Sequence, residues 1–127
     1  MSDNHSNNTI VWADIPVVDL LRAAEFYDAV LDREVEITEL DEFAFAAIQG
    51  TNGNGVCLYP DSDYVAPEKG PLVYLNVDGR LEEAVQQCKK LGGEVVQDVH
   101  DIGNFGQRAI IKDCDGTRVA LHSTSGS

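Results

Sequence analysis

The sequence predicts an α+β fold built from two β-α-β-β-β modules, and three observations predict it. First, residues 15–35 nearly recur sixty residues on, at 75–95. Val17 falls on Val77, Leu21 on Leu81, Ala24 on Ala84, Leu31 on Leu91, Glu34 on Glu94 and Val35 on Val95. Second, each copy reads strand, acidic turn, helix, strand. Third, the later strands correspond at an offset of sixty-three, with Val56 on Val119 and Leu58 on Leu121, so Cys57 matches Ala120 and Tyr59 matches His122. Two copies are too few for a solenoid. They imply a pseudo-symmetric unit, with a cleft between related halves and helices segregated from sheet.

The elements follow in order. Residues 10–17 read as a strand, and Asp19 is placed to cap the helix that follows. In that helix Leu20, Ala24, Tyr27 and Leu31 recur at helical spacing and form a buried stripe. Strands are expected at 35–39, 42–49 and 56–59, with an Asn/Gly turn over 51–55 because these residues tolerate positive φ. Residues 61–70 carry Asp, Ser, Pro and Gly without a period and read as a linker. The pattern then restarts with a strand at 72–77 and a helix whose buried face is Leu81, Ala84, Val85, Cys88 and Leu91. Gly92 and Gly93 end that helix. Strands at 94–99, 108–112 and 118–123 complete the chain, with a glycine-hinged loop at 103–106 and a tight turn at 113–116. The expected layout is a tail (1–9), one domain (10–123) of modules 10–60 and 71–123, and a tail (124–127).

Composition narrows the function. At 127 residues and 43% hydrophobic content the chain suits one folded domain with a real core. Nine Lys and Arg against 22 Asp and Glu give a net charge of −13. Such a surface repels phosphate backbones, which argues against nucleic acid as a partner. It suits a cationic or polar aromatic ligand weakly, and most of it reads as a solubility surface. No run has the length of a membrane span or a secretory signal core. The three cysteines are odd in number and widely spaced, which fits a reducing cytoplasm rather than a disulfide framework or zinc ribbon.

The phrase Trp12-Ala-Asp-Ile-Pro-Val-Val-Asp19, followed by Ala24-Glu-Phe-Tyr27, resembles the opening of vicinal oxygen chelate proteins. Val77-Asp78, Gly92-Gly93 and Asp113-Cys-Asp-Gly116 extend the resemblance over nearly the whole chain. That superfamily includes glyoxalase I, bleomycin-resistance proteins and extradiol dioxygenases. The resemblance implies two βαβββ modules whose sheets curl around a small-molecule cavity. It also implies a homodimer, in many members with the cavity shared. The family's four metal-ligand positions map to Trp12, Cys57, Leu72 and Ala120. Trp, Leu and Ala cannot ligate, and one thiolate makes no site. The expectation is therefore no metal and no other cofactor. His5 and His100, in the tail and near a loop, read as solvated.

Strand side chains alternate, so i and i+2 share a face. If Trp12, Cys57, Leu72 and Ala120 face the cavity, so do Asp14, Tyr59, Tyr74 and His122. Asp14 and His122 are the candidate catalytic pair, His122 as base with Asp14 fixing its tautomer. Trp12, Cys57, Tyr59, Tyr74 and Phe105 are the candidate ligand contacts. Phe105, between Gly103 and Gly106, either closes over a ligand or staples its own loop; Tyr64 is a weaker candidate of the same sort. Phe43 and Phe45 read as core, and Arg108 and Arg118 as partners of surface carboxylates. Cys114 is assigned no redox role. Three functions stand: a metal-free protein that binds a small organic molecule, a metal-independent lyase or isomerase using Asp14 and His122, and a metal-dependent lactoylglutathione lyase-like or dioxygenase-like enzyme with ligands elsewhere.

Overall fold

The repeat read from the sequence recurs in the strand pairing of the folded chain. The computed structural model describes residues 9–39, 44–50 and 54–124. The first module comprises β1 (Trp12–Val17), α1 (Leu20–Leu31), β2 (Glu36–Glu39), β3 (Ala44–Gln49) and β4 (Gly55–Pro60). The second comprises β5 (Val73–Asn76), α2 (Leu81–Lys90), β6 (Glu94–Asp101), β7 (Gln107–Lys112) and β8 (Arg118–Ser123). Each forms a four-stranded sheet, in the orders β1-β4-β3-β2 and β5-β8-β7-β6. In the first sheet Ile15 stands opposite Leu58 and Ala46 opposite Leu58. In the second, Leu75 stands opposite Leu121 and Ala109 opposite Leu121. These pairs are related by the offsets of sixty and sixty-three. The hairpin bond from Gly50 N to Asn54 O (2.6 Å) likewise recurs as Asp113 N to Thr117 O (2.8 Å). Two separate sheets result, not one closed sheet. Phe43, His5 and residues 51–53 lie outside the described residues.

One face of each sheet is filled by a helix. Asp19 caps α1 as expected, its Oδ1 accepting from Arg22 N at 3.2 Å. The helix ends at Asp32, the one described non-glycine residue with positive φ, at 52°. Its buried face is wider than the stripe read from the sequence and adds Ala23, Phe26 and Val30, while Leu20 is only half-buried. In α2, Glu82 and Glu83 open the helix and Lys89 and Lys90 close it, each sign matching the end of the helix dipole it meets. Gly93 brings the chain so close that an added Cβ would press on the Lys112 carbonyl and the Phe26 ring. One cluster runs from Ile15, Phe26 and Leu58 of the first module to Leu81, Ile111 and Leu121 of the second. Full burial of each such side chain contributes about 1.5–3 kcal/mol. The one ion pair among the described residues, Arg80–Glu83 at 3.8 Å, is a surface pair worth about 0–1 kcal/mol. Apolar contact therefore dominates the union of the modules.

Polar ties then set their orientation. The Arg80 guanidinium donates to the Val30 carbonyl at 2.7 Å, satisfying an orphan acceptor at the end of α1. The buried Tyr27 hydroxyl donates to Asp113 Oδ2 at 2.6 Å. Asp113 Oδ1 accepts from Asp115 N at 2.8 Å and Thr117 N at 3.0 Å. Burial pushes the Asp113 carboxyl up while these donors pull it down. Burial, and then the charge of Asp113, pushes the Tyr27 hydroxyl well above its ordinary value. At the far end of β8, Asp78 accepts from Thr124 Oγ1 at 2.8 Å, Thr124 N at 2.6 Å and Ser123 Oγ at 3.1 Å.

Two outcomes follow from these ties. Tyr27→Phe leaves a buried carboxylate oxygen without its donor and lowers unfolding free energy by about 1–3 kcal/mol in denaturant titration. The Thr124 hydroxyl and amide hold the Asp78 carboxyl below its ordinary 3.8, so its contribution is present above that pH and lost as pH falls through the lowered value. Asp78→Asn therefore destabilises most at neutral pH, and the deficit shrinks when unfolding is repeated below pH 3.8.

Candidate functional site

Side chains that alternate away from the helices form an open face. It carries Trp12, Asp14, Cys57 and Tyr59 on the first sheet and Tyr74, Ala120 and His122 on the second. Trp12 is 37%, Tyr59 38% and Tyr74 47% exposed, so these aromatics stand at solvent rather than in the core. The parallel register sets the stagger of this face: Asp14 stands opposite Cys57, and Tyr74 opposite Ala120. Trp12 stands opposite Gly55, two residues before Cys57. Leu72 precedes β5 altogether.

The second sheet bears a cleft of about 470 Å³ lined by Tyr74, Ile102, Phe105, Arg108 and His122. That volume is within the usual range for small-molecule sites, about 300–1,000 Å³. The expected glycine-hinged loop forms its rim as a short 3-10 turn, Gly103–Phe105. Phe105 is 77% exposed, so it does not staple the loop to the core. Gly106 follows with φ +98°, and an added Cβ there would overlap the Ser123 carbonyl, which makes glycine necessary at the seat of the loop. The Phe105 carbonyl meets His122 Nε2 at 2.6 Å. A carbonyl only accepts, so Nε2 carries the hydrogen and Nδ1 is left to the cleft. The Tyr74 and His122 rings meet edge to face, 6.0 Å between centroids.

Arg108 is the residue that sequence reasoning misassigned. It was expected, like Arg118, to pair with surface carboxylates, yet among the described residues neither forms such a pair. Its Nε donates to His100 Nε2 at 3.0 Å and its Nη1 to the Tyr74 hydroxyl. His100 in turn bonds through Nδ1 to the Asp98 carbonyl at 2.7 Å. That carbonyl also only accepts, so His100 is the neutral tautomer with its Nε2 lone pair toward Arg108. The cause lies in β6. Its pairing with β7 starts at Glu94↔Lys112 and ends at Asp101↔Gln107, with shifts after Val95 and after Gln97. In an unbroken ladder Asp98 would face Arg108. The two bulges put His100 there instead. His100, read as solvated near a loop, is a half-buried strand residue.

The structure brings Tyr74, Phe105 and His122 together in this cleft, and Asp14, Cys57 and Tyr59 lie outside it. Asp14 lies beside Cys57 on the first sheet, and burial, then the Asp14 charge, pushes the Cys57 thiol up. Tyr59 stands opposite Pro16. Asp14 forms no hydrogen bond with His122, whose Nε2 is taken by Phe105. Trp12 borders a second cleft, about 660 Å³, that includes Gln49, Leu72, Tyr74 and Asn76. Tyr64 is tied to Thr117 at 2.6 Å and is not a lid. Burial pushes the Cys114 thiol to about 11, which leaves it unreactive. Among the described residues no three His, Cys, Asp or Glu side chains group as a metal ion requires. The repeat offers the signal that could have found Arg108: its counterpart at sixty-three residues is Phe45, an aromatic, so the halves differ there in charge.

The seat of the rim is testable. A net hydrogen bond is worth about 0.5–1.5 kcal/mol. His122→Ala therefore speeds amide hydrogen exchange at Ile102 and Phe105 roughly two- to tenfold, while amides of α2 keep their wild-type rates.

Solved structures share this architecture. A hypothetical protein from S. aureus has a TM-score of 0.68 at 25% identity, covering 88% of this chain and 94% of that one. A glyoxalase/bleomycin resistance protein from Albidiferax ferrireducens T118 has a TM-score of 0.71 at 13% identity, covering 91% and 98%. The fosfomycin resistance protein FosX from Listeria monocytogenes has a TM-score of 0.68 at 15% identity, covering 91% and 90%. At 15% and 13% identity the likeness shows the fold alone. No protein of curated function matches the chain. The model of the Glyoxalase/Bleomycin resistance protein/Dioxygenase superfamily matches residues 9–121, and the chain belongs to that superfamily.

Proposed function

We propose that this protein binds a small organic molecule in the cleft of the second sheet, without a metal ion at the family's position. The observation that carries the reading is the cleft itself, lined by the apolar Ile102, Phe105 and the Tyr74 ring, with Arg108 and His122 as its polar groups. Clefts that hold small molecules have this make-up, apolar walls with a few placed polar groups. The metal-ligand positions that the resemblance assigns hold Trp12, Cys57, Leu72 and Ala120, a set that does not fit a divalent ion. His122 lines this cleft and Asp14 does not, and the Nε2 of His122 is bonded to the Phe105 carbonyl, so the acid–base reading has less support. Retention of the ligand, rather than its turnover, is the role this geometry favours. The reading takes the protein as a homodimer, as the resemblance implies. It places it in the cytoplasm, which the three free thiols suit. No described helix is long and apolar enough to cross a membrane.

Thermal-shift screening against small organic molecules tests the reading. A ligand at a hundred times its dissociation constant adds about 2.7 kcal/mol of stability, and the melting temperature rises accordingly. Phe105→Ala, at an exposed position, leaves the unliganded melting temperature unchanged and reduces the shift. A screen in which no compound raises the melting temperature removes the proposal. Light scattering at micromolar concentration reports twice the chain mass if the dimer is present.

A further inference from the structure

We infer that the ligand of this cleft is an organic carboxylate with a planar apolar body. The inference rests on the reading of the cleft as a ligand site and adds the sign of the ligand's charge. A guanidinium carries five N–H donors and no acceptor. In Arg108 two are taken up, by His100 and by Tyr74. Both hydrogens on Nη2 and one on Nη1 have no partner among the described residues. Neither partner carries negative charge. The hydrogen-bond chain also has a sense. Arg108 donates to the Tyr74 oxygen, so the Tyr74 hydroxyl hydrogen points away from Arg108 and has no described acceptor. The cleft thus presents a guanidinium fork and a hydroxyl donor side by side, in a lining shared with Ile102 and Phe105. A carboxylate is the planar double acceptor that such a fork fits.

The net charge of −13 argues in the opposite direction, and distance decides between them. Exposed charges farther than about 10 Å are largely screened at 0.1 M salt. The fork acts at hydrogen-bond distance, where screening by salt does not reach. The chain as a whole repels anions, and this one site accepts them. The bulges in β6 are what keep it so, since they remove Asp98 from the position facing Arg108.

The test is an NMR titration of Tyr74, Phe105 and His122 with three probes of one shape: benzoate, benzamide and benzylamine. Benzoate shifts these signals, benzamide binds on the order of tenfold more weakly, and benzylamine does not bind, tenfold being one broken charge-assisted contact. Arg108→Gln weakens benzoate about tenfold and leaves benzamide unchanged. His100→Glu keeps Arg108 but supplies the missing carboxylate, and it weakens benzoate to the same extent. Equal affinity for benzoate and benzamide, or benzoate binding indifferent to Arg108→Gln, overturns the inference and leaves the cleft a binding site. Failure of all three probes to shift these signals overturns the inference. An empty thermal-shift screen is what removes the cleft as a ligand site.

Discussion

The site depends on how the β7–β8 hairpin closes, and Asp113 closes it. This is the one buried carboxylate among the described residues, and all of its bonds bear on register. Its Oδ1 gathers the amides of Asp115 and Thr117, which forms the turn. Its Oδ2 takes the Tyr27 hydroxyl, which ties the turn to the helix of the other module. The turn places Lys112 opposite Arg118, and the antiparallel ladder then carries that alignment down to Arg108 opposite His122. A slip of one residue would turn Arg108 into the core and Ala109 into the cleft. A buried carboxylate with every donor supplied thus acts as a positional device, and the apolar core supplies most of the stability.

The repeat made the architecture legible. Offsets of sixty and sixty-three separate equivalent residues of the two modules, and they carry the pair Ile15↔Leu58 onto Leu75↔Leu121. Helix faces were legible from spacing, because burial follows the 3.6-residue period. Asp19 was legible as a cap because its chemistry is local. The cleft was legible only in part. Tyr74 and His122 were found by alternation, and Phe105 by its glycines. Arg108 was missed because its partner is set by two bulges in β6, and a bulge leaves no periodic mark in a sequence. The stagger between β1 and β4 is not legible in the sequence for a related reason. Parallel register depends on the length of the crossover, and side-chain pattern does not reveal it.

The two modules show how one backbone can bear different chemistry. Tyr74, Arg108 and His122 have as counterparts Asp14, Phe45 and Tyr59. The pairings with the last strand of each module are the same, yet the guanidinium is answered by a phenyl ring and the phenol by a carboxylate. The polarity of the open face therefore changes from one sheet to the other while the core beneath stays equivalent. Family membership accounts for the common backbone; the side chains on this face determine what the protein does with it.

The bulges in β6 have a second consequence. β6 is an outer strand, and a straight outer strand offers its unpaired amides and carbonyls to any passing chain. Two interruptions within one strand, together with Glu94, Asp98 and Asp101, twist and charge that edge. The distortion that supplies Arg108 with a neutral neighbour also makes the border of the sheet a poor template for fibril growth. Repairing the ladder by deleting the extra residues would give a more regular protein, and one more prone to aggregate.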